Sequence, residues 1–259
     1  MRFVDQDITA GICAWRIWLR LAWIDIQQRY RRSRLGTFWL TLSLAVTIGG
    51  MSIVFGGLFG QDIKAVMPYI ASGMITWMLI LGIVTEGCTV FISAKGVIMQ
   101  INLPLTVHVM RHLMRQAFMF MHHVLIIVLV CIVFSVPPTL NTWLIVPGLI
   151  LFFINGLWIG LLFGLVCARY RDIPQVINSA MQLIFFVTPI FWKPVFLMRR
   201  QYIIHVNPLF HYLEIVREPM LGVAPTMTNW LVVIVFTVAG MTGTLILYKR
   251  FHNRISYWL

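Results

Sequence analysis

Leu125-Ile126-Ile127-Val128-Leu129-Val130-Cys131-Ile132-Val133-Phe134 is a run of ten apolar residues with no polar interruption. A strand of a membrane barrel would alternate apolar with polar at this length, so the run belongs to a helix. Followed outward, the apolar stretch reaches from about residue 113 to residue 136, where Pro137 and Pro138 end it. That exceeds the roughly 20 residues that cross a hydrocarbon core of about 30 Å. The rest of the chain agrees. Of its 259 residues, 60% are hydrophobic and only 11% charged, with a mean hydropathy of +0.88. Soluble domains carry about 25% charged residues, so a soluble globular enzyme is excluded, and disordered chains and secreted disulfide scaffolds with it.

Similar runs recur. The pattern predicts six spans, over 36–60, 66–91, 113–136, 143–168, 176–192 and 230–248. Before them, residues 10–30 carry Ile12, Trp15, Leu19, Trp23 and Ile26 on one side of a helix and Arg16, Arg20 and Gln27 on another, the signature of a helix lying in the membrane interface. The predicted fold is an all-α integral membrane protein. It has a cytoplasmic N-terminus with an amphipathic interface helix (1–35), a six-span domain (36–249) and a cytoplasmic tail (250–259). The segment 193–229 is long yet rich in Phe, Leu, Ile and Met, so short re-entrant helices on the outer side, broken at Pro208 and Pro219, are expected between spans five and six.

The formal charge of +12 would suggest nucleic acid in a soluble protein. Here its distribution sets topology instead. About 15 of the basic residues fall on one side: Arg2 to Arg34, Lys95, Arg111, Arg115, Arg169, Arg171 and those of the tail. Both termini are therefore expected in the cytoplasm. No cleavable signal is expected, because Arg16 and Arg20 interrupt the first apolar stretch. Cys13, Cys88, Cys131 and Cys167 form no CxxC pair and read as small apolar side chains.

The chain has no G-x-x-x-x-G-K-[ST] phosphate loop, so it cannot hydrolyse ATP by that route. Glu86 is the acidic residue well inside a span, and it reads either as a transport group or as a satisfied polar contact. His108 and His112 have i, i+4 spacing but lack the intervening Glu and the third ligand of a zinc helix, so no metal is expected. His122 and His123 read as polar contacts near a span end, as a proton relay or as partners for sugar hydroxyls. Gly156, Gly160 and Gly164 recur every four residues, as does the pair Gly56 and Gly60, an interval that lets helix backbones approach.

Trp143, Trp230, Tyr248 and Trp258 fit an interfacial belt. Phe38, Trp39, Phe55 and Phe59 in span one, and Phe185, Phe186, Phe191 and Trp192 in span five, exceed what a belt requires. Span five also carries Asn178 and Gln182, four apart on one face. Aromatic faces beside amides suit sugar rings lining a conduit; core packing is the other reading of each residue. Arg29, Arg31, Arg32 and Arg34 precede span one. They satisfy the positive-inside rule, and their planar forks, with a tight turn at Gly36, also suit a lipid diphosphate headgroup.

The stretch Tyr30-Arg31-Arg32-Ser33-Arg34-Leu35-Gly36-Thr37-Phe38-Trp39 resembles the start of type 2 ABC exporter permeases for O antigens and capsular polysaccharides. So does Arg169-Tyr170-Arg171-Asp172-Ile173-Pro174-Gln175 leading into Thr188-Pro189-Ile190, and so does Asn207-Pro208-Leu209 followed by Glu214-Ile215-Val216-Arg217. The motifs occur in family order over nearly the full length, and the O-antigen (Wzm-type) subunit is the nearest resemblance. It implies a homodimer in the bacterial inner membrane, without cofactor of its own, driven by two copies of an ABC ATPase that bind ATP and Mg. The implied substrate is a polysaccharide on undecaprenyl diphosphate, moved from cytoplasm to periplasm. The ATPase is expected at the segment 93–115, around Asn102 and Pro104, and at Arg171 and Asp172. Capsule or teichoic-acid permeases, a drug exporter of the same fold and a membrane transferase acting on lipid-linked sugars are the alternatives.

Overall fold

A computed structural model describes residues 2–31, 36, 38–195 and 202–259, with the side chains of 2–5, 29 and 30 left aside. Every regular element among the described residues is helical. The chain opens with α1 (Arg2–Cys13) and α2 (Trp15–Tyr30), where one interface helix over 10–30 was expected. The break lies at Ala14 (φ −74°, ψ 36°). Packing explains it: α1 presses Gly11 onto Thr106, where a Cβ would lie 2.5 Å from the threonine's own. The chain turns at Ala14, and α2 then buries Ala22 and Ile26 and sets Trp23 edge-on to Phe118.

The bundle comprises α3 (Phe38–Leu58), α4 (Ile63–Gly87), the short α5 (Val90–Ser93) and α6 (Lys95–Gln100), α7 (Leu105–Val133), α8 (Ile145–Arg169) after a 3-10 turn at Leu140–Leu144, and α9 (Ile173–Val187). Then come α10 (Tyr202–Val206), α11 (Pro208–Met220), α12 (Met227–Phe251) and α13 (Ile255–Trp258). Among the described residues, α3, α4, α7, α12 and the unit from Leu140 to Arg169 are long and apolar enough to cross a membrane. The predicted fifth span is shorter. Its helix α9 has 15 residues, about 22 Å at 1.5 Å per residue. Thr188 precedes Pro189, whose ring excludes the helical conformation from the residue before it, and Thr188 is extended (φ −81°, ψ 131°).

The predicted start of span three also moves. Helix α7 begins at Leu105 and not at 113, and Leu105 to Val109 are buried. Arg111 and Arg115 therefore sit within the helix and not in a loop, because Asp25 and Glu86 neutralise them. Of the expected connecting segment, α6 and residues 101–104 remain outside the span.

Helix α4 is the axis of the bundle, buried over most of its length against α7, α8 and α11. The glycine repeat of α8 works as close packing. Added Cβ atoms would lie 2.5 Å from Leu113 at Gly156, and 2.7 Å from Val109 at Gly160 and from Val90 at Gly164. Helix α11 lies in the segment 193–229, where short helices broken at Pro208 and Pro219 are expected. Asn207 caps it, its side chain accepting from the Leu209 amide at 3.0 Å, and Pro208 occupies the first turn, where a missing N–H costs nothing. Its buried residues include Phe210 to Arg217, and Gly148 lets the carbonyl of Ile215 come close to α8. Pro219 lies in the last turn, and the chain reverses at Gly222 (φ 78°). Asp7 accepts from the Tyr248 hydroxyl at 3.0 Å, so both termini lie at one end of the bundle, the proximal end; the turn at Gly60 and α11 mark the distal end.

Candidate functional site

The distal aromatic residues converge. Phe55 of α3 stacks on Phe191 with ring centres 4.6 Å apart and on Phe59 at 6.0 Å. Phe185 of α9 meets Phe191 at 5.6 Å, Phe186 at 5.4 Å and Trp77 of α4 at 5.6 Å. Trp192 joins by donating its indole N–H to the Phe186 carbonyl at 3.3 Å. Thus residues from two predicted spans, about 130 positions apart, form one cluster, and Phe186 within it is 65% exposed. Phe38 and Trp39 do not belong to it: they stand exposed at the proximal end of α3. Asn178 and Gln182 lie exposed on α9, proximal to Phe186, and make no hydrogen bond among the described residues.

A buried cation holds this cluster in place. Arg217 of α11, 1% exposed, donates from Nη1 to the Pro189 carbonyl at 2.6 Å, pairs with Glu214 and stacks over Tyr69 at 4.2 Å. The Tyr69 hydroxyl reaches the Pro189 and Trp192 carbonyls, each at 3.1 Å. Asn207 donates to Thr188 Oγ1 at 2.8 Å. These bonds satisfy carbonyls left open where α9 stops, and they fix the extended segment that carries Phe191 and Trp192. From the sequence, Arg217 falls on the outer side, within the short helices expected over 193–229, with no partner assigned to it. The signal that could have found its role is an arginine inside an apolar run with a glutamate three residues before it.

At the proximal end, two further ion networks join distant elements. Arg111 Nε bonds Asp25 of α2 at 2.7 Å, Arg115 reaches Asp25 at 3.1 Å and Glu86 at 2.6 Å, and Gln116 donates to Glu86 at 2.7 Å. Glu86 is thus a matched charge at the end of α4. Asp7 accepts from the amides of Leu105 (2.8 Å) and Thr106 (3.3 Å), capping α7 from another helix. Beside it, Asn102 and Pro104 line a groove of about 490 Å³ with Gln6, Asp7, His252 and Ser256. Arg171 meets the end of the same C-terminal tail, donating to the carbonyls of Trp258 (3.1 Å) and Leu259 (3.2 Å), and Asp172 is exposed next to it. The tail therefore touches both expected coupling sites.

Of the basic cluster, Arg31 is exposed at the end of α2, and Gly36 takes the left-handed conformation (φ 55°) that forms a turn into α3. The Arg29 side chain, Arg32 and Arg34 lie outside the described residues. His108 and His112 are buried, His112 with Nε2 at 3.3 Å from the Ile83 carbonyl. No group of three or more His, Cys, Asp or Glu is placed to hold a metal among the described residues.

The ABC-2 type transporter family model matches residues 17–221. Among curated proteins, the O-antigen export system permease protein RfbA of Klebsiella pneumoniae is 22% identical over 190 residues, 71% of this chain and 72% of that protein. The family match runs from α2 to the end of α11 and so takes in the central bundle, the aromatic cluster and the helix that pins it. The chain belongs to the ABC-2 type transporter family, as the multi-pass membrane permease of an ABC exporter that pairs with an ABC ATPase subunit.

Proposed function

We propose that this permease exports an undecaprenyl-diphosphate-linked polysaccharide, an O antigen, from cytoplasm to periplasm across the bacterial inner membrane. It works as a homodimer with two ATPase subunits, its proximal end and both termini in the cytoplasm. The observation that carries the reading is the distal aromatic cluster, open on the α3 and α9 side of the protomer. Ring faces stack against the C–H faces of sugars without requiring a fixed sequence, and the neighbouring amides of Asn178 and Gln182 can bond hydroxyls, so a polymer can slide. The similarity to an O-antigen export permease supports the same substrate class. Arg29, Arg31, Arg32 and Arg34, with Gly36, hold the lipid diphosphate at the cytoplasmic surface. Asn102, Pro104, Arg171 and Asp172 receive the ATPase, which supplies ATP and Mg.

The test is reconstitution of permease and ATPase in vesicles loaded with the lipid-linked glycan. Export requires both subunits, and Phe55→Ala, Phe185→Ala or Phe191→Ala slows it more than it lowers expression. Cysteines at these positions that react only from the lipid side, or ATP-dependent export by the permease alone, would overturn the reading.

A further inference from the structure

Between α3, α4 and α7, on the proximal side of the aromatic cluster, lies a pocket of about 340 Å³. Its polar lining is Ser43 and Thr47 of α3, Thr85 and Glu86 of α4, and Gln116 and His123 of α7. The first observation is what these groups have left to offer. Ser43 donates its hydroxyl proton to the Leu40 carbonyl (3.0 Å), Thr47 to Ser43 (2.9 Å) and Thr85 to Leu81 (2.8 Å). Each hydroxyl proton is engaged within its own helix, so the oxygen presents lone pairs. Gln116 turns its NH₂ to Glu86, and its amide oxygen lies against Gly82, where a Cβ would collide. The lining is therefore rich in acceptors.

The second observation is His123. It is 8% exposed, lines the same pocket and makes no hydrogen bond among the described residues. A neutral imidazole carries one donor and one acceptor, so His123 can still offer hydrogen bonds to a ligand in the pocket it lines.

The third is charge. Arg111 and Arg115 are matched by Asp25 and Glu86 at the proximal floor, so the network is neutral as a whole. Among the described residues the two arginines there are each paired with a carboxylate, so neither a phosphate nor an ammonium gains an unmatched counter-charge. The ligand that fits is neutral and rich in O–H donors, with apolar C–H surface for the side chains of Met78 and Phe120 in the walls.

We infer that this pocket binds one uncharged sugar residue of the lipid-linked substrate, an inference that rests on the proposed export of a glycan. It is separate from the aromatic conduit. Thr47 precedes Phe55 by eight residues, about 12 Å along α3, and Ser43 lies about one and a half turns from the start of that helix. A lipid diphosphate held near Gly36 thus presents its first sugars to this pocket before the polymer reaches the rings. The rings accept any sugar face, whereas a pocket of acceptors fixed on three helices discriminates among hydroxyl patterns, because a sugar lacking the matching O–H leaves the buried His123 without a partner.

The test uses the permease–ATPase complex in nanodiscs, with binding measured for undecaprenyl-diphosphate-linked glycan and for undecaprenyl diphosphate without sugar. The wild-type complex binds the glycan-bearing lipid about tenfold or more tightly than the sugar-free lipid. Thr47→Val and His123→Phe, which remove an acceptor and an imidazole with little change of bulk, lose that difference. Should either variant assemble poorly, Thr47→Cys gives a second readout: its reaction with a maleimide is blocked by the glycan-bearing lipid and not by the sugar-free one. Wild-type preference with unchanged variants, or no protection of the cysteine, overturns the sugar pocket and leaves glycan export standing. A wild-type complex that neither prefers nor exports the glycan-bearing lipid overturns both.

Discussion

Asp7 joins three segments through one carboxylate: the amides of Leu105 and Thr106, the Thr106 hydroxyl at 2.8 Å and the Tyr248 hydroxyl. Burial by itself would raise its pKa, but hydrogen bonds from His252, Thr106, the Leu105 amide and Tyr248 hold it below the ordinary 3.8. A lowered folded pKa means that the stabilisation is fully present above the unfolded value and is lost as pH falls through the folded one. Asp7→Ala should cost about 1–3 kcal/mol near neutral pH, read by thermal unfolding in detergent, while wild-type stability stays level from pH 5 to 8 as far as this group is concerned. Arg217 is the distal counterpart. Its planar fork serves Glu214, Pro189 and Tyr69 together, which a lysine ammonium cannot do. Arg217→Leu leaves Glu214 buried and unpaired, at about 3–5 kcal/mol. Arg217→Lys should fold but export poorly, since the segment with Phe191 loses its anchor; normal export by the Lys variant would show that the anchor is dispensable. For the basic cluster, changing Arg31, Arg32 and Arg34 together to Lys keeps the charge and removes the bidentate fork. If these residues grip a diphosphate, export falls at matched expression; if they only set topology, it does not.

At the scale of elements, α8 is built to be approached. Its glycines at 156, 160 and 164 admit Leu113, Val109 and Val90, so Gly160→Leu or Gly164→Val should destabilise by about 1–3 kcal/mol or force α7 outward, seen as lost monodispersity after extraction. Gly57→Ala on α3, where an added Cβ meets nothing within 4 Å, should leave protomer folding unchanged. Helix α9 shows the opposite design. It is closed at both ends by proline, buries Met181, turns Phe185 in to Trp77, and carries Asn178, Gln182 and Phe186 outward. Its short length is a property of Pro174 and Pro189, and its position is a property of Arg217 and Tyr69, which lie on other elements.

In the whole molecule, burial is uneven in a way that bears on assembly. Helix α4 is 72% buried in its apolar window, whereas α3 is 17% and α12 11% buried. A membrane covers both exposed faces equally well, but α3 supplies Phe55 and Phe59 to the open aromatic cluster, and among the described residues no ring of α12 joins it. In the proposed homodimer, cysteines replacing Ile53 on α3 and Leu183 on α9 should cross-link between copies, and a cysteine replacing the equally exposed Val235 on α12 should not. Cross-linking through Val235 instead would place the second copy on the other face and separate the two aromatic clusters.

Which segments form helices in a membrane is legible from the residues alone, because insertion depends on apolar length summed along one stretch of chain, as Leu125 to Phe134 shows without any partner. So is the approach of neighbours to the glycines of α8, and so is the excess of Phe55, Phe185 and Phe191 over a belt. Where charges go is not. Arg111 and Arg115 read as loop residues because their neutralising partners, Asp25 and Glu86, lie 86 and 29 positions away. Asp7 caps a helix 98 residues distant, and Arg217 reaches a carbonyl 28 residues back. Only the tertiary structure decides such pairings, since a buried charge is tolerated according to what stands within about 3 Å of it, whatever its neighbours in the chain.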